Sequence, residues 1–291
     1  MPRRLALASC SFWPSGSGDH AGLAEALADR GVRADWVPWD EPQADWAEYD
    51  LVLLRETWDY PTKLGNFLGW VDLVSTLTVV ANSAAVVRWN HHKGYLQQLA
   101  SAGVPTVPTT IVTTAGSEAE AALQAEGTAS VVVKPAVGIG GDDAARGRAD
   151  DPAMAKHLRT LLAGGDVLVQ PYLRAIETAG ETSLVLLGEQ LSHAVAKLPT
   201  PGEFRIHEHR GGTYKRIDPS PAQVEVAHTA CEVARELTGS DLIYARVDLV
   251  DGDDGLPLLM ELELIEPSLY LHIVPDATPT LADVLVAALE T

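Results

Sequence analysis

Apolar and polar positions change period several times along the chain, and the changes mark out its elements. Leu5–Ser9 is an apolar run that reads as a strand, followed by a loop rich in turn formers, Trp13-Pro-Ser-Gly-Ser-Gly-Asp19. Ala21–Arg30 carries apolar residues at helical spacing and stops at Gly31, a residue suited to a helix C-terminus. Val32–Val37, Leu51–Leu54 and Thr76–Ala81 read as further strands. Strands separated by helices of about ten residues predict a small parallel α/β domain over residues 1–82.

Residues 83–103 predict helices, ended by the prolines of Gly103-Val-Pro-Thr-Val-Pro108. Strands at Ile111–Thr113, Ser130–Lys134 and Val167–Tyr172, with helices at Glu118–Ala125 and Pro152–Ala163, predict a central lobe of residues 83–172. The third section, 173–291, predicts strands Thr182–Leu187, Gln190–Lys197, Tyr244–Val250 and Pro257–Leu264. Helices are predicted there at Pro221–Leu237 and Thr280–Glu290. The fold class is α/β, with α+β lobes behind a small parallel N-terminal domain.

Charge changes the picture. Forty Asp and Glu against 21 Lys and Arg leave a net charge of −19 over 291 residues, which argues against nucleic acid and anionic membrane as partners. No apolar run approaches the roughly 18 residues of a spanning helix. The apolar stretch after Arg3-Arg4 is short for a signal peptide and reads better as a first strand. Cys10 and Cys231 lack metal spacing and form at most one bridge. A soluble cytoplasmic protein with a small-molecule partner is expected, and a homo-oligomer is left open. Lysine is scarce: Lys63, Lys93, Lys134, Lys156, Lys197 and Lys215 are the full set.

Candidate chemistry follows from where those lysines fall. In Ser130-Val-Val-Val-Lys-Pro-Ala-Val-Gly-Ile-Gly-Gly141 a β-branched strand delivers Lys134 to a glycine-rich turn. Gly138, Gly140 and Gly141 can bring backbone N–H groups close to an anion, and Lys134 adds a point charge. The lysine precedes the glycines, so this is not a P-loop. A buried strand with a snorkelling lysine and a flexible hairpin is the plainer alternative. Tyr244-Ala-Arg-Val-Asp248 alternates as a strand, so Arg246 and Asp248 share a face; Glu261 and Glu263 share one on the next strand. Three carboxylates beside an arginine make an oxygen-rich site suited to Mg²⁺, unless the hairpin simply turns its charged face to water.

Lys197 closes an apolar strand. Beyond it, Gly202–Thr213 carries Arg205 and Arg210 with two histidines, a composition suited to gripping phosphate or carboxylate or to a solvated basic loop. In open parallel sheets ligands sit at the carboxyl ends of strands. That makes the loops Ser9–Trp13 and Arg55–Tyr60 candidate substrate contacts through Ser9, Glu56 and Asp59. Their tryptophans could equally pack an interface.

In this order the motifs resemble the ATP-grasp superfamily over nearly the whole chain, and Glu203–Gly212 is similar to a loop of its glutathione synthetase-like branch. The resemblance implies ATP and two Mg²⁺ ions as cofactors. It implies that Lys93, Lys134 and Lys197 hold the phosphates under the Gly138–Gly141 loop. Gln170, Pro171, Tyr172 and Leu173 would line the adenine, and Glu181 would meet the ribose. Asp248, Glu261 and Glu263 would hold the metal, with Arg246 stabilising the transferring phosphoryl group. One departure stands out: the family carries Glu-x-Asn where this chain has Glu261-Leu-Glu263, with Glu266-Pro267 just beyond.

The implied activity is an ADP-forming carboxylate–amine ligase that works through an acyl phosphate on a small amino acid. Glu56-Thr-Trp-Asp-Tyr60, Ser192–Lys197 and Glu261–Leu269 resemble a branch of small stand-alone enzymes that includes the ring-closing ligase of O-ureido-D-serine. Two alternatives are an intermolecular amino-acid or peptide ligase and a silent ATP-sensing module.

Overall fold

The computed structural model describes residues 2–20, 22–113, 117–125, 129–200, 205–206 and 211–290. The N-terminal part contains β1 (Arg3–Ser9), α1 (Leu23–Ala28), β2 (Val32–Pro38), β3 (Leu51–Leu54), α2 (Leu64–Ser75) and β4 (Val79–Ala81). Its four strands form a parallel sheet in the order β2-β1-β3-β4. The strand expected from Thr76 starts later, because Thr76 still caps α2 through its backbone N–H.

Two short helices follow, α3 (Ala84–Asn90) and α4 (Tyr95–Ser101). Then come β5 (Thr110–Val112), α5 (Ser117–Ala125), β6 (Ser130–Pro135), β7 (Ala145–Arg148), α6 (Pro152–Leu162) and β8 (Val167–Pro171). The strands make a small antiparallel sheet, β5-β8-β6-β7. Period-two alternation sorts its faces. Val131, Val133, Val167 and Val169 pack with Met154 and Leu158 of α6. Val132, Lys134, Leu168 and Gln170 occupy the opposite face, and Leu168 joins the core of the large sheet.

The last part contains α7 (Ala175–Thr178), β9 (Glu181–Leu187), β10 (Gln190–Leu198), β11 (Thr213–Ile217), α8 (Pro221–Thr238), β12 (Tyr244–Asp251), β13 (Pro257–Glu263) and α9 (Thr278–Ala288). Its five strands form an antiparallel sheet in the order β11-β10-β9-β12-β13. One face, with Leu184, Leu186, Val247 and Leu249, packs on Ala230, Cys231 and Ala234 of α8 and on Leu96 and Leu99 of α4. The helices expected with the central lobe therefore share the core of the large sheet. The other face, with Val185, Leu187, Val195 and Tyr244, shares a core with β1, α1 and α9. The N-terminal domain is thus seated directly on the large sheet. Among the described residues no helix is long and apolar enough to cross a membrane.

Candidate active site

The face of the large sheet that meets the N-terminal domain changes character along its strands. Beyond the apolar patch, the same face carries Glu181 and Ser183 on β9, Lys197 on β10, Arg246 and Asp248 on β12, and Glu261 and Glu263 on β13. Register makes them neighbours: Lys197 lies opposite Glu181, Asp248 opposite both Ser183 and Glu261, and Arg246 opposite Glu263. β13 is an edge strand, and helices hold its outer rim. Asn90 Nδ2 donates to Leu262 O, and the Leu262 N–H donates to Tyr95 Oη at 3.0 Å.

Each acid on this face meets a cation. Asp248, 3% exposed, accepts from Arg246 Nη2 at 2.9 Å, stands 3.4 Å from Lys197 Nζ, and accepts a short bond from the Ser183 hydroxyl. Arg246 also pairs with Glu263, and its Nη1 donates to Ser268 O at 3.3 Å. Lys197 pairs with Glu181. Beneath the Arg246 guanidinium, 5.4 Å away, lies the ring of Tyr270, whose backbone takes φ +54°, a conformation L-residues adopt at a cost.

Lys93 sits between α3 and α4 and bridges the two sheets. Its Nζ donates to Gly138 O at 2.5 Å and lies 3.3 Å from Glu261, while its backbone N–H donates to Ala136 O. The glycine-rich loop is therefore moored beside the acidic strand. Gly140 and Gly141 adopt φ +63° and +64°, which an added Cβ would strain. Lys134 projects from the small sheet toward the same place: the charges of Lys93 and Lys134 both act on Glu261. On that small-sheet face Gln170 is buried and donates to Thr109 Oγ1 at 2.9 Å. Pro171 ends β8; Tyr172 and Leu173 follow, with Arg146 stacked 3.5 Å over the Tyr172 ring.

Burial and charge set the ionisation of this cluster. Burial pushes Asp248 upward, but Arg246 and Lys197 outweigh it and hold it well below the usual carboxylate range. Glu261 is also lowered, as Lys93 and Lys134 overcome burial. Glu263 goes the other way: burial, aided by Glu261 and Asp248, raises it to about 7 despite Arg246. Burial tends to discharge Lys197, yet Asp248 and Glu181 keep it firmly cationic. Lys134 is lowered by burial, with Lys93 adding to the effect.

Among the described residues no three His, Cys, Asp or Glu side chains come close enough together to hold a metal ion. Asp248, Glu261 and Glu263 nevertheless offer an all-oxygen, strongly anionic donor set on adjacent strands, and every one of their present partners is a cation or a hydroxyl. That chemistry fits Mg²⁺.

The residues expected to meet an amino acid are spread more widely. Ser9 is buried, and its hydroxyl faces Pro14 O at 3.4 Å. Both oxygens of Glu56 accept from the Ser17 N–H, at 2.7 and 2.9 Å, and Oε1 also accepts from the Ser17 hydroxyl. Asp59 stands apart, bracing its own domain by accepting from Trp39 Nε1 at 2.7 Å and Lys63 Nζ at 2.8 Å. Arg205 is half-buried, while Arg210 and residues 201–204 and 207–209 lie outside the described residues.

Sequence reasoning passed over Ser183, Asp19 and Arg55. Asp19 accepts from Ser268 Oγ, Leu269 N and Leu271 N, each at 3.0 Å, and from His272 Nδ1 at 2.8 Å. Arg55 donates to Pro267 O. The N-terminal domain so grips the turn that follows β13, and that turn holds Arg246. Asp19 lies in the glycine- and serine-rich loop after β1, where a buried acid has no periodic signal.

Residues 5–82 match the family model "D-cycloserine synthetase DcsG, N-terminal domain", and residues 97–273 match "Prokaryotic glutathione synthetase, ATP-grasp domain". The cycloserine biosynthesis protein DcsG of Streptomyces lavendulae is 34% identical over 283 residues, 94% of each chain. A glutathione synthetase of Pseudomonas putida is 31% identical over 142 residues, 48% of this chain and 42% of that one. The crystal structure of D-cycloserine synthetase DcsG superposes with a TM-score of 0.89 at 32% identity, over 98% of this chain and 99% of that one. A D-alanine–D-alanine ligase of Bacillus anthracis, at 15% identity and a TM-score of 0.69, shares the fold. The chain therefore belongs to the ATP-grasp ligases, whose fold binds ATP with Mg²⁺.

Proposed function

We propose that this ligase closes a ring, converting O-ureido-D-serine to D-cycloserine with ATP hydrolysed to ADP and phosphate. The observation that carries the ligase chemistry is the cleft between the two antiparallel sheets. There Lys93, Lys134, Lys197 and Arg246 surround Asp248, Glu261 and Glu263. The substrate is taken from the resemblance to the D-cycloserine synthetase, which extends along the full chain.

In this reading Lys93, Lys134 and Lys197 take the phosphate oxygens under the Gly138–Gly141 loop. Gln170 to Leu173 line the base and Glu181 meets the ribose. Asp248, Glu261 and Glu263 would hold two Mg²⁺ ions, which supply charge neutralisation for the phosphates. Arg246 faces the transferring phosphoryl group, fixed in direction by Asp248, Ser268 O and the Tyr270 ring, so that donors are in place before charge develops. The substrate carboxylate accepts the γ-phosphoryl group and ADP leaves. The ureido N–O nitrogen then attacks the acyl carbon, loses its proton and expels phosphate. Hydrolysis of the carbamoyl part gives CO₂ and ammonia.

The amino acid would lie between the loops bearing Ser9 and Glu56 and the third section, with Arg205 as a candidate partner for its carboxylate. This reading treats residues 1–82, 83–172 and 173–291 as three units of a cytoplasmic enzyme, with α3 and α4 of the second packed into the core of the third. Product mass tests the reading: one substrate minus small leaving groups supports ring closure. Two substrates joined with loss of water would replace it with an intermolecular ligase. ATP binding without amino-acid-dependent ADP release would leave only a sensor.

A further inference from the structure

At the seam between the N-terminal domain and the large sheet, the 268–272 turn lies beside Arg246. Three consecutive peptide groups of that turn are held from two sides. In the Ser268–Leu269 peptide the carbonyl accepts from Arg246 Nη1 at 3.3 Å, and the N–H donates to Asp19 Oδ2 at 3.0 Å. In the Leu269–Tyr270 peptide the carbonyl meets His193 Nε2 at 2.8 Å, and the N–H donates to Ser268 Oγ at 3.4 Å. In the Tyr270–Leu271 peptide the N–H donates to Asp19 Oδ1 at 3.0 Å, and the carbonyl accepts from the Val274 N–H at 2.9 Å. Asp19 and His193 are both buried, one in the loop after β1 and the other on β10.

A peptide group is planar, so fixing one end fixes the other. By holding the Leu269 N–H, Asp19 Oδ2 sets where Ser268 O points, and Ser268 O is the acceptor for Arg246 Nη1. His193 and Asp19 Oδ1 hold the peptides on either side of Tyr270. They thereby fix its backbone at φ +54°, a left-handed conformation that an L-residue keeps only when its surroundings hold it there. That conformation places the Tyr270 ring 5.4 Å from the Arg246 guanidinium, with Tyr214 edge-on to it at 5.6 Å. We propose that His193 and Asp19 are positioning residues: they touch neither nucleotide nor amino acid and act by holding the turn that aims Arg246. This rests on the ligase reading, in which Arg246 faces the transferring phosphoryl group, and deepens it.

The surroundings of His193 support the assignment. In the pleat of β10 it shares a face with Val195 and Lys197. Val195 fills its place in the core with an apolar side chain, and what distinguishes position 193 is the carbonyl it meets. A neutral imidazole suits that place. Donating from Nε2 to Leu269 O leaves Nδ1 to accept from the Ser192 hydroxyl at 3.0 Å, and burial pushes the pKa of the ring down, which keeps it neutral. On the Arg246 side, Asp248 and Glu263 hold Nε and Nη2, which leaves Nη1 to Ser268 O. In the ligase reading both carboxylates also ligate metal, whereas Ser268 O has no second task.

The test is ADP release with O-ureido-D-serine, alongside ATP Kd and melting temperature, for variants made in wild type and in an Arg246→Lys background. His193→Leu should lower kcat at least about tenfold and leave ATP Kd and both KM values within about threefold. His193→Gln, whose side-chain amide can donate to Leu269 O, should regain kcat to within about threefold of wild type. Asp19→Asn, which leaves β10 untouched, should lower kcat at least about tenfold from the other side of the turn. Arg246→Lys keeps a charge for Asp248 but has no outer nitrogen for Ser268 O to hold. In that background His193→Leu and Asp19→Asn should each cost less than about twofold more. The same loss in both backgrounds is what a purely structural role gives, and it overturns the proposal. So does an unchanged kcat in folded His193→Leu, or a His193→Gln no more active than His193→Leu. Should another amino acid release ADP where O-ureido-D-serine does not, the substrate reading fails alone, and the variants are compared on that amino acid. No release by wild type with any amino acid overturns the ligase reading and the proposal together.

Discussion

Asp248→Asn strikes the centre of the cleft with almost no change in shape. It removes the charge that faces Arg246 Nη2 at 2.9 Å and Lys197 Nζ at 3.4 Å. It also turns one acceptor into an amide donor pointed at a guanidinium or an ammonium. At an effective dielectric of about 20, each pair is worth about 5 kcal/mol in gross Coulomb energy. Arg246 keeps Glu263 and Lys197 keeps Glu181, so the net loss is nearer the roughly 3–5 kcal/mol of a broken buried pair. We expect the variant to fold with a melting temperature lowered by about 5–10 °C. Its kcat should fall more than about 100-fold, or roughly 2.7 kcal/mol, because the same carboxylate both aims Arg246 and would ligate Mg²⁺. Ser183→Ala is the control. It removes only the hydroxyl that donates to Asp248, a loss of about 1 kcal/mol, and should keep kcat within about fivefold. Steady-state ADP release and thermal melting of both variants check the argument. If folded Asp248→Asn retains more than about a tenth of wild-type kcat, a barrier change under roughly 1.4 kcal/mol, the role of Asp248 is wrong.

Lys134→Ala should raise KM for ATP and lower kcat while adenosine binding survives; unchanged kinetics would leave Lys134 a purely structural strand end. Asp19→Asn sets an amide donor against a site built from two backbone N–H groups, Ser268 Oγ and His272, and should lower the melting temperature and kcat together. A kcat unaffected by that change would show that the 268–272 turn does not need the N-terminal clamp. Glu266 has a folded pKa raised to about 8, so its contribution favours the fold below the unfolded carboxylate range and is lost as pH rises through 8. In nucleotide-free protein Glu266→Gln should therefore melt progressively higher than wild type between pH 7 and 9, and parallel melting curves would contradict this.

The β12–β13 hairpin was legible because it rests on period two alone: Arg246-x-Asp248 and Glu261-x-Glu263 share a face in any strand. The lysine-then-glycine strand was legible for the same reason. α2 was not, since Leu64-Gly-Asn-Phe-Leu-Gly-Trp is apolar on most sides and holds two poor helix formers. Edge strands β7 and β11 drew no assignment because Ala-Arg-Gly-Arg and Thr-Tyr-Lys-Arg-Ile carry little apolar signal. The seam was beyond reach altogether. Asp19 meets Leu271 across 252 residues and Arg55 meets Pro267 across 212, so no local pattern connects them. Arginine was sought in the 203–212 loop on composition, whereas the buried arginine at the seam sits inside the Arg55–Tyr60 motif.

An acidic chain places three of its six lysines in one cleft for a reason that the pairing there makes plain. Lys93, Lys134, Lys197 and Arg246 stand against Glu181, Asp248, Glu261 and Glu263, so the nucleotide-free cleft is close to neutral and every buried charge faces an opposite one. Without those carboxylates four cations would lie together in a low-dielectric site, and the empty enzyme would bear their repulsion. With them, arrival of ATP with Mg²⁺ is an exchange of partners. The lysines turn from carboxylate to phosphate, and the carboxylates turn from lysine to metal. Neither set needs water to return, and charge balance holds before and after. Glu263 occupies the position where the family carries asparagine, and Arg246 beside it only partly offsets burial, which leaves its carboxyl raised to about 7. In the bound state a divalent cation is the partner that would bring that carboxyl back to its charged form, so metal affinity should climb from pH 6 to pH 8 in wild type. Glu263→Asn should flatten that climb, measured as the Mg²⁺ concentration giving half-maximal ADP release; a slope unchanged by the substitution would remove Glu263 from the metal site.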